Sequence, residues 1–383
     1  MAYRVAILGC RNRGQAAARA YAAHPGTEVV ALCDLVKERR DELGDELSVD
    51  ARFDDLDDMM TAVGPDIVAI PVGTEFHFEL GMRVLEYGAH IDIEKPICVD
   101  LEQGDALLEK ARSKGSSIAV HHQGRTGASM RAVCQAVEAG KLGELQHVSA
   151  SGKGYYGGYG LMNIGTHSVN AMLELTGRCH QVHAVAVTGE KPVDPTDVVA
   201  SPNGMGTICG EFITATFVFG ANVSATLTQH RFPQVDARAH HAQFHGTEGR
   251  IYWTNPGAYW CPDPYAFPGP QEEWIPLEAT LPSFGDIGEA AIDEVLYVDE
   301  FVNALDEGRS HTSSGEEGVH VLEILMGVFE SAAYGTKVDL PQVQRDHPLI
   351  RWREEASMGA VPAVPRPYNE WLAEEDNRLG RSG

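Results

Sequence analysis

The amino-acid sequence predicts two parts: an N-terminal Rossmann-type, doubly wound parallel α/β sheet, and a C-terminal α+β domain with a large, mostly antiparallel open sheet. Three observations carry that prediction. Apolar runs of strand length alternate with helical stretches up to residue 122. The first run ends in a glycine-bearing turn that feeds an alanine-rich helix. From about Gln123 the alternation stops, and strand-like runs follow one another through short turns.

Length and composition agree with this division. A chain of 383 residues exceeds one core of typical size. Residues 1–122 are expected to form the first domain and 123–340 the second, with 341–383 a tail packed on the body. A net charge of -25 argues against nucleic acid as a partner. No apolar run reaches membrane-span length, and the opening residues lack a secretory pattern, so a cytoplasmic protein is expected. The seven scattered cysteines, odd in number and never in a C-x-x-C pair, read as reduced thiols.

YRVAILG is the first buried strand, CRNRG the turn, AAARAYAAHPG a helix stopped by Pro25 and Gly26, and EVVALCD a second strand ending at Asp34. A strand, glycine turn, helix and strand, with an acid twenty residues after Gly14, is the dinucleotide-binding pattern. The helix N-terminus receives the pyrophosphate and the acid receives the ribose hydroxyls. Gly9, Arg11, Asn12, Arg13 and Gly14 are therefore the candidate cradle. Arg11 stands where a second glycine is usual, and a guanidinium there, or at Arg13, can bind phosphate in a fork. Asp34 favours NAD over NADP by repelling a 2'-phosphate, and Lys37, Arg39 and Arg40 read as a solvated helix face. DIVAIPV is the next strand, EFHFELGMRVLEYG a helix, and GAHIDIEKP a strand that stops at Pro96. LEQGDALLEKARSKG is a helix closed by basic residues and Gly115, and SSIAVHHQ a short strand. Ligands on such sheets bind beyond the C-terminal strand ends, where Glu94 and Lys95 fall beside Gly9 and Asp34.

In the second part MRAVCQAVEAGKLGEL reads as one helix. QHVSASGKG, QVHAVAVTG, EFITATFVFG, ANVSATLTQHR and AQFHGTEGRIYW read as strands, the last with a hairpin turn at Gly246 to Gly249. GYYGGYGLMNIGTHSVNAMLELTG is expected to be a glycine- and tyrosine-rich loop feeding a helix that carries Asn163, His167 and Asn170 on one face. VDEFVNALDEG and GEEGVHVLEILMGVFESAAYG are helices, and YNEWLAEEDNRLG a short helix within the Pro-rich tail. Tyr155, Tyr156 and Tyr159, with Lys153 and Arg125, suit a polyhydroxylated ring that offers both C–H faces and hydroxyls. No metal site is expected from His240, His241 and His245, because in an alternating strand His240 lies opposite the other two. His121 and His122 read as polar residues at a strand end.

VAILGCRNRG, H-x-E…LEYGAHIDIEKP from His77 to Pro96, EAGKLGEL, NIGTH, GTEG and GVFESAAYGTKVDLP together resemble the Gfo/Idh/MocA family of nicotinamide-dependent sugar and polyol oxidoreductases. The resemblance runs from about residue 3 to residue 340. It implies that Lys95 and His167 are the catalytic pair and that Val72, His77, Glu94, Lys95 and Gln123 add cofactor contacts. It also implies a carbohydrate or polyol substrate, and a homodimer or homotetramer. The aspartates that the family usually carries four residues before and three after the histidine are here Asn163 and Asn170, and its Thr-Pro-Asn is Val72-Gly73-Thr74.

Oxidising a secondary alcohol needs a base for the hydroxyl proton while hydride leaves carbon. His167 suits that base, as histidine titrates near neutrality. Lys95 can stabilise the alkoxide or share the proton. Asn163 can bind a substrate hydroxyl but cannot take a proton. The expected activity is NAD-dependent dehydrogenation of a sugar, sugar acid or cyclitol. The alternatives are an enzyme that retains NAD and uses transient oxidation for glycoside cleavage, elimination or epimerisation, and a sugar-sensing regulator.

Overall fold

In the computed structural model, which describes residues 2–265 and 272–381, the chain divides into two compact units. The first holds the chain up to Cys98, then Gln103–Ala128 and Thr280–Val319; the second holds Val99–Glu102, Ser129–Ala279 and the chain from His320 onward.

Six parallel strands organise the first unit: β1 (Tyr3–Leu8), β2 (Thr27–Cys33), β3 (Arg52–Phe53), β4 (Ile67–Ile70), β5 (His90–Ile93) and β6 (Ile118–Val120). Their order is β3-β2-β1-β4-β5-β6, so the winding reverses between β1 and β4. Parallel strands covered on both faces must be apolar throughout, and Ile67 to Ile70 are accordingly all buried. The crossovers are α1 (Asn12–Ala23), α2 (Lys37–Leu47), α3 (Leu56–Val63), α4 (His77–Glu86) and α5 (Leu101–Lys114), followed by the short α6 (Gln123–Thr126). A later helix, Ile292–Glu307, comes back to this unit and inserts Val295, Tyr297, Val298 and Phe301 into one core with Tyr21, Leu32 and Ile67. In chain order it is α10, after α7 (Ala128–Glu138), α8 (Gly157–Gly160) and α9 (Thr166–Thr176).

The second unit is built on ten strands. They are β7 (Leu145–Ser151), β8 (Cys179–Thr188), β9 (Lys191–Pro192), β12 (Phe212–Phe219), β13 (Ser224–His230), β14 (His241–Gly246), β15 (Arg250–Thr254), β16 (Gly257–Cys261), β17 (Ile275–Leu277) and β18 (Val338–Asp339), with β10 (Val199–Ala200) and β11 (Thr207–Ile208) as a separate ribbon. Neighbours run antiparallel except β7 and β13, which are parallel. One face is apolar and buried, with Val148, Ala215, Phe217, Leu227 and Phe244. The opposite face alternates outward as Ser, Thr, Gln, His and scattered apolar residues, for example His183, Val185, Thr216 and Val218. The helices α11 (Gly315–Tyr334), α12 (Pro348–Glu355) and α13 (Tyr368–Arg378) complete the chain.

Two expectations change here. The helix expected over MRAVCQAVEAGKLGEL ends at Glu138, because Gly140 and Gly143 take φ of +77° and +69°, which turn the chain toward β7. The GYYGGYG stretch is helical and buried from Gly157 rather than a loop; α8, a π turn (Leu161–Gly165) and α9 run on without a break. Its glycines serve close packing. A Cβ on Gly157 would stand 2.7 Å from the Gln229 carbonyl oxygen and 2.8 Å from that of Glu211.

Candidate functional site

The turn after β1 is held by what its glycines lack. Gly9 has φ of +111°, and a Cβ there would meet Val72 Cγ1 at 2.9 Å; one on Gly14 would fall 1.8 Å from the Gly9 carbonyl oxygen. Neither position admits a side chain, so the first turn of α1 closes directly on the strand end. Asp34 secures the other side: its Oδ2 accepts from the Cys10 N–H at 2.7 Å and its Oδ1 from the Val36 N–H at 2.8 Å. Arg11 and Asn12 are exposed at the helix start. Of the basic trio, Lys37 pairs with Asp41, Arg40 donates to the Asp34 carbonyl at 2.7 Å, and Arg39 stands 4.0 Å from the Asp34 carboxylate.

Arg13, expected at phosphate, is half-exposed and heads a chain of charges that runs inward to buried carboxylates. It donates to Glu94 at 2.6 Å and forks onto Glu294 of α10 at 2.9 and 3.3 Å. His121 Nε2 meets Glu294 at 2.7 Å and its Nδ1 meets Asp92 at 3.0 Å, while the Tyr21 and Tyr297 hydroxyls both donate to Asp92 at 2.9 Å. Burial alone would lower the His121 pKa, but the Asp92 and Glu294 carboxylates outweigh it and raise it to about 10. The imidazolium therefore donates from both nitrogens. Burial would raise Glu294, yet His121 and Arg13 hold it down at about 2. Neither Asp92 nor Glu294 stood out as a site residue from sequence. A carboxylate inside the apolar run HIDI was the available signal for Asp92; for Glu294, 173 residues beyond His121, there was none.

Three more expected cofactor contacts have structural duties. His77 is fully buried and spans two strand ends, with Nδ1 3.0 Å from the Pro96 carbonyl and Nε2 3.3 Å from that of Val72. Burial lowers its pKa. The Glu94 carboxylate, itself buried, holds Arg13 and accepts from the Lys95 N–H at 3.3 Å. Val72 packs across Gly9. Lys95 differs, being the one half-buried position from Ile91 to Cys98, ahead of a cis bond to Pro96. Gln123 opens α6 with its Oε1 buried and without a hydrogen-bond partner among the described residues. Arg125, expected at substrate, pairs with Glu317 at 2.8 Å.

In the second unit the same contrast recurs. From Tyr156 to Leu173 every residue is buried except Asn163 and His167, which are half-buried. Asn170 is wholly buried and does not share that open face, because its position on α9 turns it into the core. Asn163 Nδ2 donates to the Tyr159 hydroxyl at 3.1 Å, and Asn203 Nδ2 donates to the same oxygen at 2.8 Å. Burial pushes the Tyr159 phenol up to about 12, so it stays neutral. Tyr155 is half-buried and edge-on to Tyr159, their centroids 5.2 Å apart, and Lys153 is half-buried with its pKa lowered by burial. Tyr156, expected at substrate, is fully buried; it donates to Glu375 at 2.9 Å and packs against Trp371, anchoring the tail. His240 lies buried edge-on to Trp253 and His241 stacks on Tyr252. Among the described residues no group of three or more His, Cys, Asp and Glu is placed to hold a metal ion, and no helix is long and apolar enough to cross a membrane.

Comparison with known proteins adds an independent line. Residues 3–122 match the model of an oxidoreductase family's NAD-binding Rossmann fold, and residues 135–340 match that of the same family's C-terminal α/β domain. The D-glucoside 3-dehydrogenase of Escherichia coli is 29% identical over 192 residues, 45% of this chain and 54% of its own length. A glycosyl hydrolase family 109 protein of Streptomyces coelicolor is 28% identical over 151 residues, 37% of this chain and 32% of its own. The chain thus spans about half or less of these two relatives. Levoglucosan dehydrogenase of Pseudarthrobacter phenanthrenivorans is 25% identical over 392 residues, 88% of this chain and 98% of its own. A solved structure of levoglucosan dehydrogenase with NADH and levoglucosan shares the fold at a TM-score of 0.70 and 20% identity, covering 89% of this chain and all of that one.

Proposed function

The chain belongs to the Gfo/Idh/MocA oxidoreductase family, and on that premise we propose that it is an NAD-dependent oxidoreductase acting on a secondary alcohol of a sugar, sugar acid or cyclitol. One observation carries the reading. Each residue of the catalytic pair implied by the family resemblance holds a position left open in an otherwise buried run: Lys95 between Ile91 and Cys98, His167 between Tyr156 and Leu173.

The first unit fits the cofactor. Gly9 and Gly14 bring backbone to within reach of a pyrophosphate at the start of α1, and each Asp34 oxygen, after one backbone N–H, retains a lone pair for a ribose hydroxyl. A 2'-phosphate would be repelled there, which favours NAD. The orphaned Gln123 Oε1 suits a carboxamide N–H. NAD, when bound, supplies the hydride acceptor. His167 takes the hydroxyl proton and Lys95 holds the oxygen as charge develops on it. Asn163, half-buried and held by Tyr159 through Nδ2, is the residue assigned to a substrate hydroxyl.

The test is turnover of a panel of glucosides, anhydrosugars and cyclitols, followed by reduced-nicotinamide absorbance with NAD and NADP in parallel. Lys95→Ala and His167→Ala should each lower kcat by about 10²–10⁴-fold, as expected for a lost general acid or base, and the double variant should be little worse than the weaker single. Near wild-type turnover in either single variant would refute the assignment. The likeness to a glycosyl hydrolase family 109 protein, together with Asn163 in place of a carboxylate, favours one second reading: NAD retained through a cleavage cycle. Glycoside cleavage with no net NADH would select it.

We also propose self-association through the outward face of the ten-stranded sheet. On β7, β8, β12, β13 and β14 the outward positions, such as His147, His183, Thr216, Thr226 and Gln243, include no Asp, Glu, Lys or Arg, in a chain with 55 acidic and 30 basic residues. A face without charge in so acidic a protein is matched by a second copy of itself, which brings no repulsion.

A further inference from the structure

The family's domain ends at residue 340, yet the tail beyond it reaches the open face of the second unit through an unbroken set of contacts. Tyr368 stacks on Tyr159 with centroids 5.0 Å apart and 23° between planes, stands edge-on to Tyr155 at 4.9 Å, and accepts the Tyr156 N–H at 2.8 Å. Trp371 lies parallel to Tyr368 at 6.2 Å and donates to the Ala200 carbonyl at 2.9 Å. The Arg366 carbonyl accepts from the Asn203 N–H at 3.0 Å, and Asn203 holds its backbone at φ of +58° while its side chain donates to Tyr159. Further along, Asp376 forks onto Arg231 at 2.6 and 2.8 Å, which pins α13 to the end of β13.

The Tyr159 oxygen is the node. It accepts from two amides, Asn163 on the helix that carries His167 and Asn203 on a loop tied to the tail, and its ring is clamped by Tyr368. Tilting the ring would move that oxygen, and the Asn163 carboxamide with it, one helical turn before His167. We propose that the segment from Arg366 to Trp371 is part of the substrate-recognition apparatus, with Tyr368 a positioning residue that sets Asn163 through Tyr159. This rests on the dehydrogenase reading above and assigns the tail a role in choosing and orienting the sugar, separate from cofactor binding.

The experiment measures KM for sugar and for NAD, kcat and thermal midpoint in Tyr368→Ala, Tyr368→Phe, Asn163→Ala and the double variant Tyr368→Ala/Asn163→Ala, using the best substrate of the panel. Tyr368→Ala should raise KM for sugar about tenfold while leaving KM for NAD within about twofold, the split expected of lost substrate positioning. Tyr368→Phe keeps the ring stack and should restore most of that loss, although it gives up the bond to Tyr156 and lowers the midpoint. The double variant should be no worse than Asn163→Ala, because the two act on one contact. Additive losses, equal changes in both KM values, or a Tyr368→Phe as impaired as Tyr368→Ala would overturn the proposal. A wild type that turns over no member of the panel, and whose Trp fluorescence none of them alters in the presence of NAD, overturns the dehydrogenase reading and this one with it. A wild type that turns over while Tyr368→Ala matches it overturns this one alone.

Discussion

At the scale of single residues, the structure redistributes charge that the sequence could place only along a line. His121 and Glu294 are both buried, and removing one of such a pair leaves its partner unsatisfied, at about 3–5 kcal/mol; Arg13, 39% exposed, is screened by solvent and adds less. His121 carries the pH signature. Its folded pKa of about 10 lies above the ordinary value near 6.5, so its contribution is full below about 6.5 and is lost as pH rises toward 10. Glu294 works in the opposite sense, contributing above its ordinary value near 4.5 and losing that contribution as pH falls toward about 2. The urea midpoint of the wild type should therefore decline between pH 7 and pH 10, and His121→Gln should lack that slope despite being less stable at pH 7. Parallel declines in the two proteins would exclude His121 as the titrating group. Lys95 stands out in the sequence as a charged residue at the end of an apolar strand, and the structure leaves it half-buried there. The duty of Arg13 was not legible from sequence, because one of its carboxylate partners, Glu294, lies far along the chain.

At the scale of elements, strand periodicity and glycine turns made the parallel sheet and most of the second sheet readable, and the alternation in β8 and β12 translates directly into a buried and an outward face. The GYYGGYG stretch failed as a prediction because glycine and tyrosine in sequence signal a loop, whereas here three-dimensional packing decides. The helix lies so close to β12 and β13 that only hydrogen fits at its first turn. Gly157→Ala weighs two effects against each other. Helix propensity would improve by about 1 kcal/mol, while forcing a methyl to within 3 Å of three carbonyl oxygens costs about 1–3 kcal/mol as overpacking. Overpacking should win, so calorimetry should show a midpoint lower by several degrees. A higher midpoint would mean that the helix can retreat from the sheet without loss. The helix over PLIRWREE and the short strands β16 and β17 escaped sequence reading because each is brief and takes its stability from its neighbours.

At the scale of the whole molecule, the uncharged sheet face makes a testable statement about assembly. Thr216 is exposed at the middle of that face, so Thr216→Glu should leave the fold and thermal midpoint of a protomer intact. In sedimentation velocity at micromolar concentration the wild type should run as a dimer or larger, and the variant should shift toward monomer by at least tenfold in apparent Kd. A wild type that sediments as a monomer would remove the face from consideration as a self-association surface. The construction of the first unit from three separated stretches of chain has a different bearing, on birth rather than on function. Its core needs Tyr297 and Phe301, and its charges need Glu294, yet these leave the ribosome only after almost the whole of the second unit's sheet has been synthesised. The nascent first unit must wait, its core unfilled and Arg13 and His121 still lacking their shared carboxylate, until that later helix emerges.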